Sequence, residues 1–469
     1  RFYYLIKFIG KNLPKCCMYM KLRNLLFGTM IACAFAACSN EDDPIPNVDP
    51  TPEAGTATAS LTVSVKNSVR KVTKAGDSEG LQTANEAKIN TLLVALYDNA
   101  TGTLVATSSD IATEDATAEN DEVKFEGLKE GMSLRAIAFA NMEDISLTGT
   151  TTTSFTSPVI TIPTTGFSDD NLPMSSGLSK AFTLAKGSNY YGYNKEGVTS
   201  LADDPLYLVR NVARVDLKGL SLDMTKAKKD VYVSGTATIT PECVFIMHAR
   251  TESNAADLGL DDAWWNKLSE TIWGNVSTAY EQTSTDYMSG YKGEFEDDAM
   301  FKYMRGVVLS ETDGVNAYKL SLPTTALVQK IESDKAQAAT FTTVPKFYVY
   351  ENPQISVARE MNGDDFLATE LVIKGKYKLE NAKKEGSSAT YNYKEETAYW
   401  PIKIAQADQM SESVWSDGVI HRNVIYSIDA TLAGKGFKDP TIPTEDFVEL
   451  FVRTKVIDWG NATQSVVVE

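Results

Sequence analysis

Short runs in which apolar and polar residues alternate recur along this 469-residue chain, and strand signals dominate its reading. Ala59-Ser60-Leu61-Thr62-Val63-Ser64-Val65 alternates over seven residues, as a half-buried strand does. Residues 89–97 (INTLLVALY) are richer in apolar side chains and end at the turn signal Asp98-Asn99-Ala100-Thr101-Gly102. With the returning run 103–107 they predict a hairpin. Further strands are predicted over 123–127, 134–141, 157–163 and 205–217. A second series covers 231–239, 346–350, 371–377, 398–404, 423–432 and 448–458. Short strands between polar turns, without strand–helix alternation, predict an all-β sandwich architecture with a domain break near Lys218. Ala255 to Tyr280 differs, because Trp264, Trp265, Leu268, Ile272 and Trp273 are spaced as one helix face. A short helical insertion packed on a sheet is expected there; the alternative is an aromatic platform that stacks on sugar rings.

The N-terminus changes the compartment. After Met20 come Lys21 and Arg23, an apolar run from Leu25 to Ala37, then Cys38. A short positive head and an apolar stretch too short to span a bilayer describe a signal peptide. Phe35-Ala36-Ala37-Cys38 resembles a lipobox, with Cys38 as the lipidated residue and Phe35 departing from the usual aliphatic position. Residues 1–37 are therefore read as leader and signal, of which 1–19 precede the signal and are expected not to be translated. Residues 38–57 read as a lipidated tether: Glu41, Asp42 and Asp43 look like a surface-export signal, and Pro44, Pro46, Pro50 and Pro52 favour extended chain. The expected location is the cell surface, as an outer-membrane lipoprotein precursor.

Losing residues 1–37 removes six basic groups and no acidic ones, which takes the formal charge from -17 to -23. So acidic a body argues against nucleic acid, which is bound through cationic contacts to phosphate. Cys16, Cys17 and Cys33 leave with the leader, so Cys243 stands alone and no intrachain disulfide is expected to hold the body together. Apolar burial must do so, and the length suits two domains.

Catalytic patterns do not emerge. His248 and His421 lie in no metal-ligand spacing, and Cys243 and His248 are read as falling on opposite faces of one strand. No nucleophile elbow or phosphate-cradling loop is present in the sequence. The expectation is a non-enzyme without cofactor or metal.

Several strings in fixed order then carry a resemblance: Cys38 to Asp43, LTVSVKN (61–67), the basic patch from Arg70 to Gly76, NLPMSS (171–176), LVRNVARVDL (208–217), FYVYEN (347–352), HRNVIYSIDATLAGKG (421–436) and VIDWGNATQSVVVE (456–469). Together they resemble the Bacteroidales fimbrillins, the major and minor subunits of type V pili. The resemblance implies two tandem transthyretin-like β-sandwich domains, 58–218 and 219–445, followed by a C-terminal donor-strand segment, 446–469. It implies export as a lipoprotein and proteolysis after a basic residue just beyond the first strand. It also implies filling of the opened groove by the next subunit's tail. The cut is then expected at Arg70, Lys71 or Lys74, removing strand 59–67 with its plugs Leu61, Val63 and Val65. Donated plugs are expected among Phe447, Leu450, Val452, Val456, Val466 and Val468. Partners would be other copies of the chain, accessory fimbrial subunits and an adhesion ligand. The alternatives are an anchor or tip subunit that does not polymerise, or a glycan-binding surface lipoprotein using Trp264 and Trp265.

Overall fold

The structure is a computed structural model. It describes residues 58–67, 85–108, 121–142, 145, 147, 159–163, 166–193, 200–227, 230–256, 287–289, 307–308, 318–352, 369–404, 420–438, 453–458 and 460–468. The chain divides into two compact units, Arg1–Ala54 and Gly55–Glu469, and every described residue lies in the second.

The first strands are β1 (Thr58–Asn67), β2 (Leu92–Asp98), β3 (Leu104–Ser108), β4 (Asp121–Lys129) and β5 (Ser133–Ala140). After them come β6 (Val159–Thr161), β7 (Met174–Ser175), β8 (Phe182–Thr183), β9 (Gly187–Tyr191) and β10 (Leu206–Arg210). All but β6 form a nine-stranded sheet of order β3-β2-β5-β7-β10-β1-β4, with β8 on β5 and β9 on β1. The predicted hairpin is β2–β3. Its turn is tied by Asp98, whose carboxylate accepts the Thr101 amide at 2.8 Å and the Ala100 amide at 3.0 Å.

The chain continues as β11 (Val212–Leu222), β12 (Tyr232–Met247), β13 (Ala249–Arg250), β14 (Glu252–Asn254), β15 (Tyr287–Ser289) and β16 (Val307–Val308). Next are β17 (Lys319–Ser321), β18 (Leu327–Lys330), β19 (Gln337–Ala338), β20 (Lys346–Tyr350), β21 (Glu370–Lys384) and β22 (Tyr391–Lys403). The last three are β23 (Val424–Leu432), β24 (Arg453–Asp458) and β25 (Gly460–Val468). One sheet has order β19-β11-β23-β24-β25 with β20 on β11; another has order β17-β12-β21-β22 with β18 on β12. Side chains of both, among them Val215, Leu217, Ile428, Val244, Ile373 and Trp400, share one core. A separate core lies under the first sheet and contains Leu61 and Val63. The all-β expectation holds for the described residues.

One strand reading needs correction. The stretch 205–217 is two strands in different sheets, because the chain passes between them at Asn211. Asn211 is fully buried; its amide donates to the Pro173 carbonyl at 2.8 Å and its side chain to the Ala255 carbonyl at 2.7 Å. A strand reading by hydropathy cannot see that change of partners, since both halves are equally apolar. Beyond the buried Ala255 and Ala256, the expected helical insertion with Trp264 and Trp265 lies outside the described residues.

Candidate functional site

The first strand sits inside its sheet. β1 is antiparallel to β4, from Thr58 opposite Lys129 to Val65 opposite Asp121. Its other edge runs parallel to β9 over Ala59–Val63 and parallel to β10 over Val65–Asn67. Both rows of β1 backbone groups are thus engaged, and among the described strands β4 joins the sheet through β1. Leu61 and Val63 are fully buried and Ala59 nearly so, packed in one core with Val123, Phe125, Leu134, Tyr191, Leu206 and Leu208. Burying an aliphatic side chain of this size contributes roughly 1.5–3 kcal/mol. Withdrawing β1 would leave a slot with two unpaired strand edges and empty apolar holes along its floor.

Two features of the slot escaped the sequence. The first is Asn189 of β9, buried and directly beside Leu61 in the parallel register. Its side-chain oxygen accepts the Ala185 amide at 2.9 Å, and its nitrogen donates to the Ser60 carbonyl of β1 at 3.0 Å. The second is a bulge in β4, which advances three residues, Leu128 to Phe125, while β1 advances two, Ala59 to Leu61. Gly127 lies in it with φ 73°, a left-handed conformation that favours glycine.

Just beyond residues 68–84 the chain is pinned to the other sheet. Glu86, in the 3-10 turn Asn85–Ala87, is buried and receives Nη1 of Arg214 on both carboxylate oxygens, at 2.8 and 2.9 Å. Tyr348 donates its hydroxyl to the same carboxylate, and Arg210 Nε donates to the Glu86 carbonyl at 2.7 Å. Arg214 also holds Asp216 at 2.7 Å. Burial opposes the charge on Arg214, yet the Asp216 and Glu86 carboxylates outweigh it and raise its pKa above the ordinary guanidinium value. Burial lowers Arg210 to about 10. β11 and β20 position these groups, Arg214 standing opposite Tyr348 in the ladder. A second buried pair, Arg422 with Glu351, ties the start of β23 to the end of β20, with Ser253 donating to Glu351 at 3.2 Å.

The remaining site residues divide by location. Cys38, the basic residues Arg70, Lys71 and Lys74, and the plugs Phe447, Leu450 and Val452 lie outside the described residues. Val65 lies in β1 between Asp121 and Leu206. Val456 lies in β24, and Val466 and Val468 in β25. The backbone of β25 runs parallel to β23, from Gly460 beside Val424 to Val468 beside Leu432, and β24 folds back antiparallel on β25. The structure therefore places the described part of the tail, β24 and β25, in the sheet of its own second half. Cys243 is packed with Phe245, Met247, Val372 and Tyr399, and burial raises its thiol pKa, which makes it an inert thiol. Among the described residues no group of His, Cys, Asp or Glu is arranged to hold a metal ion, and no helix is long and apolar enough to cross a membrane.

A family model described as major fimbrial subunit protein (FimA) matches residues 59–241, from the start of β1 into β12. Over these residues the chain is similar to the fimbrial subunit family. It is also 23% identical to the major fimbrium subunit FimA type-3 of Porphyromonas gingivalis, over 95% of this chain and 99% of that protein. The FimA type-2 subunit of the same organism matches at 23% over the same shares. Among solved structures, a protein of Parabacteroides distasonis assigned to cell adhesion superposes with a TM-score of 0.58 at 20% identity. It covers 88% of this chain and 99% of its own, a likeness of fold. The family match begins on β1, which is paired along both of its edges.

Proposed function

We propose that the chain is a structural subunit of a cell-surface fimbria that polymerises by donor-strand exchange and supports adhesion. In this reading it is exported as an outer-membrane lipoprotein held by Cys38 and is built as two transthyretin-like sandwich domains, the chain passing from one to the other at Asn211. A protease cuts at Arg70, Lys71 or Lys74 and releases β1. The segment 446–469 of another copy then fills the slot. The observation that carries the reading is β1 itself: the first described strand, bonded along both edges, with Ala59, Leu61 and Val63 buried, and followed in the sequence by the basic residues Arg70, Lys71 and Lys74. A strand with that setting can be replaced by another strand but not simply lost, since its removal strands β4 and uncovers Leu206, Leu208 and Phe125.

The pinned Glu86 supports the same division of the chain. Any cut before residue 75 frees β1 while the flank that follows stays anchored by Arg214, Arg210 and Tyr348. The test is N-terminal sequencing of subunits sheared from cells as polymer. The expected first residue is Lys71, Val72 or Ala75. Polymer whose subunits remain blocked at Cys38 would instead make this chain an anchor, a role in which β1 stays seated as it is here.

A further inference from the structure

We propose that a crevice along the open edge of β20 is a binding site for one neutral sugar ring, a hexopyranose. None of its lining residues belongs to β1 or to the strands beside it, and the proposal does not rest on the donor-strand reading. Among the described strands β20 pairs with β11 alone. Just before that ladder the Leu217 amide donates to the Pro345 carbonyl at 2.9 Å. In an antiparallel pair the backbone groups face the partner at every second residue. Those of Phe347 and Val349 therefore turn to β11, and those of Lys346 and Tyr348 turn away from it. No described strand takes up that outer row. A crevice of about 240 Å³ lies there, lined by Lys346, Phe347 and Tyr348, by Phe167 and Asp169 from between β6 and β7, and by Tyr318. Three consecutive strand residues have side chains on both faces, so a space they share runs along the strand's edge.

The lining decides the class of ligand. The Tyr348 hydroxyl is committed to Glu86, and Phe167 stands edge-on to Tyr350 with ring centroids 5.2 Å apart. The aromatic walls are thus held in place before a ligand arrives. Lys346 and Asp169 meet at 3.0 Å and join the two walls. This pair cancels its own charge, so the crevice favours neither an anion nor a cation. It still offers ammonium donors and a carboxylate acceptor, beside the outward backbone donors and acceptors of Lys346 and Tyr348. A wholly apolar molecule would leave these groups unpaired, which is costly. Hydroxyls both donate and accept, so a ring that carries several of them on an apolar C–H face matches rings and polar groups together. Size agrees: a dry cavity of about 150 Å³ takes benzene, and drug-sized ligands need about 300–1,000 Å³. The crevice falls between the two, room for one six-membered ring with its hydroxyls. The Lys346–Asp169 pair closes it at one end, so a peptide strand cannot run through it to extend the sheet.

The experiment is saturation-transfer NMR on the purified chain with the methyl pyranosides of glucose, galactose and mannose, followed by titration of any that respond. At least one should receive saturation on its ring C–H protons. Phe167→Leu keeps the apolar bulk and loses the ring face; Asp169→Ala removes the acceptor at a half-buried position. Each should weaken binding by about tenfold or more, the loss of a stacking face or of one charge-assisted hydrogen bond. Lys384→Ala is the control, since Lys384 lies over the Tyr391 ring, 5.2 Å from its centroid, in a separate aromatic cluster. It should leave binding unchanged. No transfer to any of the three sugars overturns the proposal. So does binding that either crevice variant leaves unchanged, or that Lys384→Ala weakens as much as they do.

Discussion

At the scale of single residues, the side chain that decides most about the retained body is Glu86. Its carboxylate is buried against Arg214 and Tyr348, so neutralising it leaves charged and polar partners without their acceptor. Glu86→Gln should lower unfolding stability by about 1–3 kcal/mol, the cost of an imperfectly satisfied buried group. A denaturant midpoint that falls at unchanged slope would show this; an unchanged midpoint would remove Glu86 from the anchor. Such residues are poorly legible in a sequence. Glu86 sits in the polar string NEAK, and its partners are 128 and 262 positions away. Arg214 and Asp216 alternate with Val215 and Leu217, a pattern that reads as a solvated strand face, yet here that face is buried. Leu61 and Val63 were legible because nothing but local alternation was needed. Asn189 was not, since no sequence pattern marks an amide that reaches a strand 129 positions away.

Among the elements, turns were read best. The DNATG signal forms the β2–β3 turn, where the Thr101 and Ala100 backbone amides and the Thr101 hydroxyl hold Asp98 below the usual carboxylate range. Asp334 is held down likewise by the Lys330 amide and the Ser333 hydroxyl, at the turn after β18. A depressed folded pKa means that the stabilisation is complete above the unfolded carboxylate value of about 3.9 and is lost as pH falls through the folded value. Amide exchange at Thr101 and Lys330 should therefore quicken below about pH 4, ahead of amides in β2 and β5. Exchange that quickens evenly across turns and strands would contradict it. Long strands were read short, for physical reasons. Alternation predicts a strand over 231–239 that ends before Pro241, yet β12 runs to Met247 by placing an irregular step between Pro241 and Cys243. β21 extends to Lys384 and β22 starts at Tyr391, because their outer ends carry Lys378, Glu380, Lys394 and Glu395, where contrast with a polar turn fades.

For the whole molecule, the tail links fold and assembly. In this chain β25 lies beside β23 over nine paired positions, so a tail that enters a neighbour must first leave its own sheet. Deleting 446–469 then has two separable consequences. If the tail is a donor, the shortened subunit keeps its β1 slot, accepts a neighbour's strand and offers none in return. Produced together with the full-length chain, it should cap growing fibres and shorten them as its share rises. If the tail belongs chiefly to its own sheet, the deletion exposes the edge of β23, and the shortened chain should be degraded without altering fibres built by the full-length one. Fibre length against the ratio of the two chains, by electron microscopy of sheared material, separates these outcomes. Substitutions refine the same point: Val466→Asp with Val468→Asp should shorten fibres more than changes at Gln464 or Ser465. Each buried aliphatic plug contributes roughly 1.5–3 kcal/mol, whereas a polar position contributes mainly its backbone bonds. Equal effects at all four positions would leave the donated strand held by its ladder alone. The side-chain plugs would then have no part in assembly.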